Sequence, residues 1–497
     1  MSAQILPFVA QLVDRVLLTG LLVQRLGVSS FERWSLITAT LSILTMLDLG
    51  AQTTFLNKMA LAAGAGNKAL AARIYRESNT IFAVLAAIVA LATMMFVFVG
   101  PVQHFLGFDE NLSSTDRWVS LFIGGSLTAK MLMANSTGAY RANAAYAKGT
   151  MVFSVAELAR SMLVVVAVIL DPGLFAPAVT TLVITSLFYN FYVPFDLQRR
   201  FPDFRFRLAW PTPVTTHRAF LDSLLYASSY LPSIVLTQIP VLIIGSHGAT
   251  GMLAGFLVMR TFTNLLRSVV QRFASVVGME LGSLESQNRP DEMSMLYRHA
   301  CLFAAVAFGF TTGFLLGWGD EVVRLWTGTA HLYDPIMLAV MLAPLAIAPG
   351  TQIAGPFLTF SQRPQRLALA VALQTVVAAL LAKFLPVEDI ALRFALAIYG
   401  AELLCLPPLL FPAAAKAIGA ISSWSALKDG VIGLSTAVAT WGLAAALRNH
   451  LAGPAGLAVG GLALGLLVTP LLYFSVRPLV HRALRAQTGE ATLEQAL

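Results

Sequence analysis

Residues 80–100 read TIFAVLAAIVALATMMFVFVG. No charge interrupts this run, and its apolar residues fall on every side of a helix instead of alternating. At about 1.5 Å per residue its length matches the roughly 30 Å hydrocarbon layer of a bilayer. A barrel strand would be half as long and would alternate at period two. In lipid only a helix or a closed barrel satisfies its own backbone, so the run is a membrane helix.

Working outward, comparable runs recur at about 4–24, 34–56, 117–138, 150–170, 174–195, 221–244, 250–271, 299–319, 333–355, 366–386, 391–412, 426–447 and 454–476. With 80–100 they make fourteen. The composition agrees: 57% of the 497 residues are hydrophobic and 12% charged, about half the charged share of a soluble domain. The expected fold is an all-α polytopic membrane protein of about fourteen transmembrane helices.

The net charge of +8 would suggest a nucleic-acid partner in a soluble chain. Here the basic residues lie between apolar runs, where they report topology, and no nucleic acid is expected. Placing the N-terminus in the cytoplasm puts 21 of the 33 Lys and Arg residues in inward segments and seven in outward ones. That is the positive-inside bias, and it puts both termini in the cytoplasm of a bacterial inner membrane. The arginine-rich stretch Asp196–Phe220 follows the sixth run and reads as a linker. A weak echo supports two related halves: Gly27, Leu36 and Asn67 match Gly248, Leu257 and Asn288 at one offset. The expected division is 1–197 and 220–415 as pseudo-symmetric six-helix bundles around a central cleft, joined by linker 198–219. Two added helices (416–478) and a cytoplasmic tail (479–497) follow.

Cys301 and Cys405 lie inside apolar runs, and no CxxC or Cys/His cluster suggests a metal or cofactor. P-loop, HExxH and GxSxG motifs are absent. Outward loops are short, which disfavours an enzyme that builds its site there.

Charges within the runs are costly and mark function. Arg260, Asn264, Arg267 and Gln271 recur on one helical face. Gln11, Arg15 and Thr19 share another face; Lys130, Thr137 and Arg141 share a third. Arg15, Lys130, Arg260 and Arg267 are therefore candidate ligands for an anion, with Gln11, Asn264, Gln271 and Arg141 as polar lining. Arginine forks suit a diphosphate. Asp14, Glu157 and Glu402 are candidates for proton or ion coupling. Glu157 and Arg160, spaced i,i+3, also suit a structural pair, and Asp48 suits a helix cap. Prolines 344, 349 and 356 mark a place to bend.

The stretch Leu26–Leu36 (LGVSSFERWSL) continued by Leu47-Asp48-Leu49-Gly50 resembles the start of polysaccharide-export flippases of the multidrug/oligosaccharidyl-lipid/polysaccharide exporter (MOP) superfamily, with Glu32-Arg33 replacing a glycine region. Gly138–Asn143 resembles that family's fourth-helix end. The resemblance implies an alternating-access flippase that moves polyprenyl-diphosphate-linked oligosaccharide from the cytoplasmic to the periplasmic leaflet. It also implies polysaccharide polymerase and export proteins as partners, and a basic cavity in which Arg15 and Arg260 take part. Two alternatives stay open: a cation-coupled small-molecule antiporter of the same fold, and a membrane glycosyltransferase or ligase.

Overall fold

The computed structural model describes residues 6, 9–10, 12–48, 50–105, 108, 112–171, 173–212, 223, 232, 234–361, 363–419, 423–448, 450, 453, 457–458, 461–462 and 465. Gln11, linker residues 213–219, most of the run at 454–476 and the tail 479–497 therefore lie outside the described residues. The chain forms two compact units, Met1–Ala254 and Gly255–Leu497.

Unit 1 opens with a π-helical turn, Val13–Leu17, that leads into α1 (Leu18–Leu26). Then come α2 (Val28–Leu44), α3 (Ala51–Gly64), α4 (Lys68–Phe98), the short α5 (Gly100–Phe105), α6 (Ser114–Leu132), α7 (Ser136–Ala142), α8 (Tyr146–Leu170) and α9 (Phe175–Ser186). A second π segment, Leu187–Tyr192, joins α9 to α10 (Val193–Arg200), and α11 (Ile234–His247) closes the unit. Helix α12 (Met252–Ser286) crosses the division by three residues. Unit 2 continues with α13 (Pro290–Thr327), α14 (Pro335–Ile347), α15 (Thr351–Phe360), α16 (Pro364–Phe384), α17 (Ile390–Ile418) and α18 (Ser423–Arg448).

Among the described residues there is no strand. Among the described residues eight helical stretches are long and apolar enough to cross a membrane, and the bent pair α14 and α15 is apolar enough to count as a ninth if it is one span. The all-α polytopic membrane architecture is as expected. Several expected spans are, however, broken.

Residues 34–56 divide between α2 and α3. Gly50 adopts a left-handed φ of 77°, and its N–H donates to Asp48 Oδ1 at 3.0 Å. Asp48 is thus the anchor of a helix restart, and the Asp48…Gly50 pair has a physical role: glycine alone enters that conformation cheaply. Residues 333–355 bend by 55° between α14 and α15, where Pro349 cannot donate a helix hydrogen bond.

Helix α4 shows why apolar residues surround these helices. Phe82, Val89 and Phe96 are at most 2% exposed and pack into unit 1, while Val84, Ile88, Leu91 and Met95 on another face are 43–63% exposed. Only a lipid solvent tolerates that second stripe.

In unit 2, Gly309, Gly313 and Gly317 of α13 let α18 approach backbone to backbone. A Cβ at Gly313 would collide with the Ala437 carbonyl oxygen and Thr440. Gly313→Ala is expected to lower stability by about 1–3 kcal/mol through overpacking. The check is the thermal unfolding midpoint in detergent, with Gly442→Ala, where a Cβ meets nothing within 4 Å, expected to be neutral.

Candidate functional site

Unit 1 encloses a cavity of about 970 Å³ whose lining includes Asp14, Asp48, Gln52, Lys130, Thr137, Glu157, Arg160, Ser161 and Tyr189. Four charges on three elements form one chain across its wall. Lys130 of α6 lies 2.7 Å from Glu157 Oε1 of α8. Arg160, one turn on, donates from Nε to Glu157 Oε2 at 3.0 Å and from Nη2 to Asp14 Oδ1 at 2.8 Å. Ser161 Oγ donates to the same Asp14 oxygen at 3.1 Å, and Tyr189 Oη donates to Glu157 Oε1 at 3.2 Å. Lys130 also sits 5.8 Å from the centre of the Tyr189 ring.

Both π segments carry members of this network: Asp14 belongs to Val13–Leu17 and Tyr189 to Leu187–Tyr192. A π turn widens the helix by one residue and re-aims the side chains on it, which is why such turns gather at functional sites. Here they turn Asp14 and Tyr189 onto Arg160 and Glu157. Tyr189→Phe removes a neutral donor from a charged acceptor and is expected to cost roughly 1.5–3 kcal/mol, read as a lower unfolding midpoint with secondary structure retained.

Three carboxylates (Asp14, Asp48, Glu157) thus face two cations (Lys130, Arg160) around the cavity. Arg15 and Arg141 are exposed and are not among its lining residues. Unit 1 therefore brings Lys130, Asp14 and Glu157 together and leaves Arg15 and Arg141 apart from them.

The second cluster lies in unit 2. Arg260, Asn264 and Arg267 are half-buried along α12, and Gln271, at the end of the stripe, is exposed. The Arg260 guanidinium lies 5.6 Å from the Phe256 ring centre. Arg267 Nη2 bonds Glu402 Oε2 of α17 at 2.9 Å, and the Glu402 side chain is only 4% exposed. Between Arg260 and Gln271 the sequence of α12 holds no acid; the acid comes from a helix more than a hundred residues away.

Sequence reasoning had no signal for Tyr189 or Ser161, and it read Asp48 only as a cap. Glu157 and Arg160 do pair, but Arg160 also bridges to Asp14 and so ties α8 to the N-terminal π turn.

No family model and no curated protein matches the chain. Solved structures do. A lipid II flippase MurJ, in an inward closed conformation, superposes with a TM-score of 0.72 at 11% identity, over 96% of this chain and 99% of that one. An inward-facing multidrug resistance MATE family transporter of the MOP superfamily follows, with a TM-score of 0.62, 16% identity, and 83% and 95% coverage. The chain has the MOP fold. A MATE structure in a bent conformation matches less closely, at a TM-score of 0.54 and 15% identity over 88% of this chain. This is the fold that the resemblance at Leu26–Gly50 implies.

Proposed function

We propose that this protein is a transporter, not an enzyme. Its cargo is polyprenyl-diphosphate-linked oligosaccharide, carried from the cytoplasmic to the periplasmic leaflet of a bacterial inner membrane for cell-surface polysaccharide synthesis. Both termini are cytoplasmic, no cofactor takes part, and polysaccharide polymerase and export proteins act with it. The proposal keeps the division into six-helix bundles at 1–197 and 220–415 with two added helices.

The observation that carries this reading is the pair of half-buried arginines, Arg260 and Arg267, two turns apart on one face of α12. Two guanidinium forks on one face suit the paired phosphoryl groups of a diphosphate and would repel a cationic drug. The extent of the likeness to the lipid II flippase, nearly the whole of both chains, supports a carrier of that size and cargo class. In this reading Arg15, Lys130, Arg260 and Arg267 bind the diphosphate. Gln11, Asn264, Gln271 and Arg141 add hydrogen bonds.

One observation favours a second reading, a cation-coupled antiporter: the excess of carboxylates in the unit 1 cavity. Within the flippase reading, Asp14 and Glu157 there, with Glu402 in unit 2, serve ion or proton coupling.

The test is reconstitution in proteoliposomes with a fluorescent polyprenyl-diphosphate oligosaccharide on one leaflet. Transfer to the other leaflet, faster than in protein-free vesicles, is expected. Uptake of a cationic dye against an imposed proton or sodium gradient, without glycolipid transfer, would instead establish the antiporter.

A further inference from the structure

The segment that follows α10 is not a loose link where it is described. It is a strap, a 3-10 turn at Pro202–Phe204 followed by extended chain, tied along α4 of the same unit. Arg76 donates to the Asp203 carbonyl at 3.4 Å, Asn79 Nδ2 to the Arg207 carbonyl at 3.3 Å, and Thr80 Oγ1 to the Ala209 carbonyl at 2.7 Å. The Ala209 N–H returns a bond to Thr80 Oγ1 at 3.0 Å. Phe204 is 2% exposed and packs on Tyr75, with ring centres 5.8 Å apart. Each hydrogen-bonded anchor lies further along α4 than the one before. From Arg76 to Thr80 the strap advances four residues, or about 6 Å along the helix axis.

That direction has a meaning because α4 contains its own depth scale. The helix is 31 residues long, but a bilayer core takes only about 20. The uncharged run begins at Thr80, and the turns before it carry Lys68, Arg73, Arg76 and Glu77. Thr80 therefore stands where hydrocarbon meets headgroups. The strap descends to that level and delivers Trp210, 92% exposed, just beyond Ala209, with Leu208 60% exposed beside it. Arg199, near the end of α10, and Arg207 are exposed. Arg200 is engaged by Asp196 at 2.8 Å.

An exposed indole at the hydrocarbon boundary with exposed arginines on the same segment matches a membrane interface. Tryptophan favours that level, and arginines there attract anionic headgroups. We infer that the end of α10 and the strap after it, from Arg199 to Trp210, form a lipid-docking surface: Trp210 inserts at the interface while Arg199 and Arg207 bind anionic phospholipid headgroups. The inference does not depend on the cargo. It gives unit 1 a fixed purchase on one leaflet, against which other parts of the protein can move.

The test uses the full-length protein in nanodiscs. One set contains phosphatidylcholine or phosphatidylglycerol brominated near the headgroup end of the acyl chain. Trp210 is one of seven tryptophans, so its signal is the difference between wild type and Trp210→Phe. That difference should be strongly quenched by brominated lipid. Spin-labelled phosphatidylglycerol should be enriched around the protein over phosphatidylcholine, and Arg199→Gln with Arg207→Gln should lower that enrichment by about fivefold or more. A Trp210 signal untouched by bromine would overturn the inference and point to water or a protein partner at the strap. So would an unchanged lipid preference in the double variant, with circular dichroism confirming that it is folded.

Discussion

Glu402→Ala is expected to cost about 3–5 kcal/mol of stability, because it leaves the Arg267 charge inside the membrane region without its carboxylate. Arg267→Ala should cost as much from the other side, since Glu402 is 4% exposed. The pair is also incompletely satisfied: among the described residues neither Arg267 Nε nor Glu402 Oε1 has a hydrogen-bond partner. A half-satisfied buried pair is a poor stabiliser against a well-packed apolar one. The double variant Arg267→Leu with Glu402→Leu should therefore recover most of the loss, and thermal unfolding in detergent reads all three. If the double variant is as unstable as the singles added together, the two residues are not coupled and the pair is not a unit. If it is as stable as wild type but carries no cargo, the charges are kept for transport.

The same pair marks where reading a sequence stops. The apolar runs were legible because the solvent imposes them: a helix in lipid must be apolar on every exposed side, so length and composition suffice. The run at 80–100 lies mostly in α4, and those at 150–170 and 391–412 lie in α8 and α17. Helix interruptions were partly legible. Asp48 read as a cap, but nothing in the run at 34–56 marked the left-handed turn at Gly50; Pro349 marked the bend before α15.

Ion pairs between helices were not legible, because periodicity compares a residue only with its own helix. Lys130 with Glu157, Arg160 with Asp14 and Arg267 with Glu402 each join distant stretches. The π turns leave no mark in composition at all, so Tyr189 stayed invisible. Four charges expected to line a cavity as separate ligands and couplers are in fact bonded to one another, as Lys130 with Glu157 and Arg267 with Glu402. Removing any of them now tests packing as well as transport.

Arg260 gives a second test of cargo, since it is half-buried on the same face as Arg267. Each charge-assisted bond to a diphosphate is worth roughly 1.5–3 kcal/mol, so Arg260→Ala is expected to weaken cargo engagement by about one to two orders of magnitude. Arg260→Lys keeps the charge but replaces a planar fork with a point charge, so its transport should fall between alanine and wild type. The control needs care. Arg33, at the start of a membrane helix, looks dispensable, but it bonds Asp116 at 3.1 Å with that carboxylate 4% exposed. Arg25, exposed near the end of α1, is the better choice, and Arg25→Ala should leave transport unchanged. Initial rates of glycolipid transfer in proteoliposomes, normalised to folded protein, separate the cases. A graded series of wild type, lysine and alanine supports bidentate phosphate binding. Equal rates in all three, at equal abundance, would remove Arg260 from the cargo site and with it the strongest support for an anionic cargo.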